Sequence, residues 1–143
     1  MSGIIFSIIA GIAMSLQGVF NTRLGEKIGT WETNVIVQGS GLLLCIIVYF
    51  FLGDGNFRSI KEANKLYLLG GTLGVIIIFT VMKGIKALGP TCSIATILVA
   101  QLTAAALIDA FGLFDSEQVK FGMTKIIGVL VMIAGIIIFK WKC

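Results

Sequence analysis

Six uncharged polar side chains in this sequence are spaced to hold a small molecule. Gln17 and Asn21 stand four residues apart in the stretch SLQGVFN, and Asn34 and Gln38 four apart in TNVIVQ. Thr96 and Gln101 lie further along the chain. Carboxamides and hydroxyls donate and accept hydrogen bonds but do not exchange protons near neutral pH, so their chemistry is recognition. The chain has no histidine, pairs no nucleophile with a base and offers no set of metal ligands. The common enzyme constellations are thereby excluded, and no metal or other cofactor is implied. Binding is what these residues can do.

The elements that must position them are apolar. Of 143 residues, 57% are hydrophobic and only 13% charged, which is too little charge to cover the surface of a soluble domain. Five apolar runs, at about 3–20, 34–52, 66–82, 91–111 and 122–141, are each close to the ~20 residues needed to cross ~30 Å of hydrocarbon. They predict an all-α integral membrane protein: one membrane domain over 1–143, five transmembrane helices, multi-pass in the inner or plasma membrane. The first run has no basic segment before it and no small-x-small cleavage site, and is read as a retained helix. Cys45, Cys92 and Cys143 are far apart with no C-x-x-C, so no disulfide framework is expected. Gly89 and Pro90 should close the third helix and open the fourth.

At 100° per residue the first run sorts into two faces. Gly3, Ser7, Ala10, Gly11, Met14, Gln17, Gly18 and Asn21 share an arc about 120° wide, opposite a face of Ile, Leu, Val and Phe. A membrane helix of this kind turns its small and polar face to protein or a cavity and its branched face to lipid. Over a run of about 27 Å, Gln17 should sit roughly 8 Å from the centre, with Asn21 nearer one mouth. Asn34, Gln38, Gly41 and Cys45 cluster in the same way in the second run. Gly70, Gly71 and Gly74 make a smooth patch in the third, and Ser93, Thr96, Ala100, Thr103 and Ala104 a stripe in the fourth with Gln101 at its edge. Gly128 and Gly135, seven apart in the fifth, form a seam suited to close helix packing. Gln17, Asn21, Asn34, Gln38, Thr96 and Gln101 are the candidate substrate-binding residues. Gly70, Gly74, Gly128 and Gly135 are the candidate packing and dimer residues.

The same segments carry a resemblance. "QGVFNTRL", with Gln17, Asn21 and Leu24, Gly39, the "GGTLG" of Gly70–Gly74, "ALGP" with Gly89, "AQLTAAALIDAFG" with Gln101, Asp109 and Gly112, and Gly128 recur in order along the whole chain. In these features the sequence resembles the YdcZ-like family of the drug/metabolite transporter superfamily. Ala100 departs from the pattern, where a glycine often precedes the glutamine. The resemblance implies a five-helix unit equal to half of a ten-helix transporter built from inverted repeats. The chain is also similar in scale to the small multidrug resistance proteins, but lacks the glutamate of their first helix.

Three functions remain. A secondary active transporter of a small polar metabolite, working by alternating access as an antiparallel ten-helix homodimer, accounts for the inward carboxamides. A drug or organic-cation exporter would want a central carboxylate, and none is offered. A non-transporting membrane subunit would explain the glycine seams alone. The expected partners are an unknown small molecule, the lipid bilayer, and a second copy or a paralogous chain. The net charge of +4 is spread over both rims and gives no reason to expect nucleic acid.

The basic residues set the orientation. Arg58, Lys61, Lys65, Lys120 and Lys125 fall on one side of the expected helices, and Arg23, Lys27, Lys83, Lys86, Lys140 and Lys142 on the other. Five against six leaves the positive-inside rule almost nothing to act on, so the chain should insert both ways. One-sided cysteine labelling should therefore reach the two terminal regions at comparable levels. A population oriented more than about nine to one would contradict it.

Overall fold

The computed structural model describes residues 2–116, 118 and 122–140, with the side chains of residues 125 and 140 excepted. Among them the chain forms five α-helices and no strand: α1 Ser2–Ile28, α2 Thr30–Leu52, α3 Gly70–Leu88, α4 Pro90–Phe111 and α5 Met123–Lys140. By length and composition α1, α2, α4 and the segment Lys65–Leu88 can each cross a membrane, and α5 carries a shorter apolar stretch, Ile126–Phe139. Two compact units emerge, Met1–Lys86 and Ala87–Cys143. Lys120, Lys142 and Cys143, and the end of the fifth apolar run at 141, lie outside the described residues.

The first two helices are longer than their apolar runs. Hydropathy ends the first run at Phe20, yet α1 continues to Ile28, because Asn21–Ile28 contains no proline and several good helix formers. Twenty-seven residues make a helix of about 40 Å. α2 then begins at Thr30, so the connection shrinks to Gly29 alone. Gly29 has φ 105° and ψ 155°, a backbone that L side chains rarely adopt, and the Glu32 carboxylate occupies the place where a Cβ would stand.

In the first unit, α3 packs on both arms of this corner. Its buried face is Ile78, Met82 and Ile85, at the i, i+4, i+7 spacing of a helix stripe. A methyl at Gly18 would stand 3.0 Å from Ile85 Cδ1 and 3.1 Å from Val81 Cγ1, and one at Gly25 would overlap Met82 Cε. These two glycines, seven apart on α1, let α3 approach closely. Before α3 the chain makes two 3-10 turns, Phe57–Lys61 and Lys65–Leu69. Each is capped by an asparagine: Asn56 accepts from Arg58 N at 2.9 Å and Asn64 from Leu66 N at 3.1 Å. α3 therefore starts at Gly70 rather than at Leu66.

The second unit opens as its Gly-Pro pair predicts, with α3 ending at Leu88, Gly89 at φ 78° and Pro90 in the first turn of α4. Gly112, in the left-handed region at φ 60°, ends α4 and donates its N–H to Ile108 O. Two apolar grooves lie between α4 and α5. One, of about 320 Å³, is lined by Gly128, and the other, of about 480 Å³, by Gly135. Cys92 is disulfide-bonded, a correction to the sequence expectation: separation along the chain sets no lower limit on distance in the fold.

Gly29→Ala should lower stability by about 1–2 kcal/mol, because it adds a Cβ to a left-handed backbone already crowded by Glu32. Gly39→Ala is the contrast, a helical glycine with open space around it. Melting temperatures of the purified variants should fall for the first and hold or rise for the second.

Candidate functional site

Beside the apolar stripe of α3, the first unit buries four polar residues. Asn21, Thr22, Thr33 and Asn34 are buried, with Thr33 at 0% and Asn34 at 3% exposure, whereas Phe50 and Phe51 are 79% and 83% exposed. All four lie within about 12 Å of Gly29 measured along their helices. The corner thus gathers three of its four buried polar residues, Asn21, Thr22 and Thr33, from a segment that hydropathy alone assigns to a loop.

Each hydroxyl is satisfied within its own helix. Thr22 Oγ1 donates to Gly18 O and Thr33 Oγ1 to Gly29 O, both at 2.8 Å. Asn34 reaches across to α3, donating from Nδ2 to Val75 O at 2.9 Å. Because a carbonyl only accepts, this bond fixes which way the amide faces. Asn34 Oδ1 is left buried and unpartnered among the described residues. One turn on, half-buried Gln38 lies against Gly74: a Cβ there would stand 2.9 Å from its Nε2. Gly74 thus serves close packing, but with a side-chain amide rather than a second backbone. Asn21, 6% exposed, makes no hydrogen bond among the described residues.

The rim of the corner is charged and aromatic. Trp31 stacks on Phe79 with ring centroids 5.0 Å apart and planes at 17°, and Lys83 Nζ lies 5.7 Å from the Phe79 centroid. A cavity of about 20 Å³, room for a single water, is lined by Thr22, Glu26, Thr30, Lys83 and Lys86 among others. Arg23 pairs with Glu26 at 3.1 Å, but Arg23 is largely exposed, so the pair adds little to stability.

The candidate residues therefore separate. Asn21, Asn34 and Gln38 are buried or half-buried in the first unit, and Asn34 and Gln38 both meet α3. Gln17 is exposed, and the longer α1 moves it to about 3 Å from the helix centre instead of the expected 8 Å, with Asn21 about 9 Å away. Thr96 and Gln101 lie exposed on α4 in the second unit. Thr96 is spent on Cys92 O at 2.9 Å, and Gln101, at the middle of α4, makes no hydrogen bond among the described residues. Gly70, Gly128 and Gly135 face open space. Sequence reasoning missed Thr22, Thr33 and Gly25. Their signal was present in the unbroken helix-forming stretch after Phe20 and in the seven-residue spacing of Gly18 and Gly25.

Apolar side chains outside and carboxamides and hydroxyls inside define an integral membrane protein with a polar interior. The family comparison agrees. The family model DMT_YdcZ, described as "Putative inner membrane exporter, YdcZ", matches residues 2–138. The chain belongs to this family, and with it to the multi-pass transporters of the inner membrane. No curated protein and no solved structure matches it.

Proposed function

We propose that the protein is a secondary active transporter of a small polar metabolite, working by alternating access as a dual-topology antiparallel dimer. The observation that carries this reading is the set of buried polar residues beside the Gly29 corner, Asn21, Thr22, Thr33 and Asn34, none of them ionisable, with Glu26, Glu32, Lys83 and Lys86 exposed at the rim. Neutral hydrogen-bonding groups suit a polar solute. A protonated drug would need a counter-charge there, which counts against the organic-cation alternative. Gln17 and Gln101, exposed near the centres of α1 and α4, are amides that lipid cannot satisfy, and a pathway or a second chain would meet that need. Two opposed copies would place one corner at each mouth around a shared midplane.

Asn21→Leu should weaken substrate binding more than tenfold while the melting temperature changes little. The substrate would first be found by a thermal-shift screen and checked in proteoliposomes, and Gln17→Leu measured alongside. Unchanged affinity in both variants, with stability lower by about 1 kcal/mol, would make the carboxamides structural.

The dimer contact is assigned to the fifth helix. Gly128 and Gly135 border open apolar grooves in the second unit, where an incoming helix would find space. Gly128→Leu and Gly135→Leu should each shift the purified protein toward monomer at low concentration in detergent. If both stay dimeric, the seam lies elsewhere, with α3 at Gly70 the next surface to test.

A further inference from the structure

The polar cluster under the Gly29 corner has a bias in its hydrogen bonding. The hydroxyl protons of Thr22 and Thr33 are spent on the carbonyls of Gly18 and Gly29, which leaves each hydroxyl oxygen with lone pairs only. The Asn34 amide nitrogen is directed at Val75 O, and its Oδ1, in a residue 3% exposed, has no partner. In every one of these bonds the side chain donates to the backbone and keeps its acceptor unused. A buried acceptor without a donor is rare enough in folded proteins to call for an explanation.

Resting on the transport reading above, we infer that Asn34 Oδ1 is the atom that receives the transported ligand. That oxygen is an acceptor selecting neutral molecules that carry N–H or O–H donors, such as primary amides and polyols. Anions with acceptors alone would meet lone pairs with lone pairs. Ammonium ions would have donors, but must pass a rim where Lys83 and Lys86 outnumber Glu26. Neutral donors face neither obstacle. The Val75 bond holds the amide in one orientation, so Oδ1 stays an acceptor. Because that oxygen is covered in this structure, a ligand reaches it through a local opening over Oδ1 that leaves the Asn34–Val75 bond made.

The test uses matched probes on the full-length protein in micelles. The sequence has four asparagines, Asn21, Asn34, Asn56 and Asn64, so selective [15N]asparagine labelling gives four side-chain amide signals. Asn34→Leu assigns one of them or, should it not fold, substitutions at the other three do so by elimination. Asn56 and Asn64 cap the turns before α3 and serve as internal controls. Propionamide, N,N-dimethylpropionamide and propionate are titrated in turn; only the first carries a donor at neutral pH. Propionamide should move the Asn34 signal saturably, with an affinity at least fivefold above the other two. Equal effects from the dimethyl amide or from propionate would overturn the donor assignment and leave the transport reading standing. So would a moving Asn21 signal beside a still Asn34, the result expected if Oδ1 merely holds a structural water. No response to any probe at any asparagine would count against both.

Discussion

Buried away from water, in protein or in hydrocarbon, an amide or hydroxyl must find a hydrogen-bond partner, since leaving one bare costs on the order of several kcal/mol. The first unit answers that constraint group by group. Thr22 and Thr33 turn back onto carbonyls one turn earlier in their own helices. Asn34 spans to the α3 backbone, and Gln38 lies on the bare surface that Gly74 provides. The remaining unsatisfied groups, Asn34 Oδ1 and the amides of Asn21, Gln17 and Gln101, are where the chain needs something more than itself.

The geometry that gathers these groups comes from three glycines. Gly29 supplies a one-residue corner, possible only where a positive φ is free of a Cβ, and so places the polar ends of α1 and α2 side by side. Gly18 and Gly25 then let the Val81–Met82–Ile85 face of α3 close over α1. α3 leans on α2 through its first half, at Gly74, Val75 and Phe79, and on α1 through its second. Any relative movement of α3 would therefore break the Asn34 bond and the Trp31–Phe79 stack together. That coupling is what a gate at this corner would require.

The membrane character, the helical class and the Gly89–Pro90 junction were legible because each has a strong local cause: long apolar runs, a carboxamide-bearing face at helical period, and the paired conformational limits of glycine and proline. The stretch from Asn21 to Thr33 was not. Hydropathy measures which residues leave water, and a helix that passes beyond the hydrocarbon core keeps its hydrogen bonds without being apolar, so Thr22, Gly25 and Thr33 dropped out of view. The inward direction of Asn21 and Asn34 was readable from the arcs of their helices. Which atom Asn34 would spend, and on what, depended on where Val75 came to lie, and spacing along the chain does not carry that.

The central claim is that the buried polar cluster faces an aqueous pathway while the exposed apolar face meets lipid. In a soluble protein the opposite reactivity would hold, because Ile12 is 58% exposed and Asn21 only 6%. The direct measurement is labelling of Asn21→Cys and Ile12→Cys by a membrane-impermeant methanethiosulfonate reagent in native membranes, against the unsubstituted chain as background. Asn21→Cys should react and Ile12→Cys should not. Reaction at position 12 with none at position 21, or silence at both, would contradict the account.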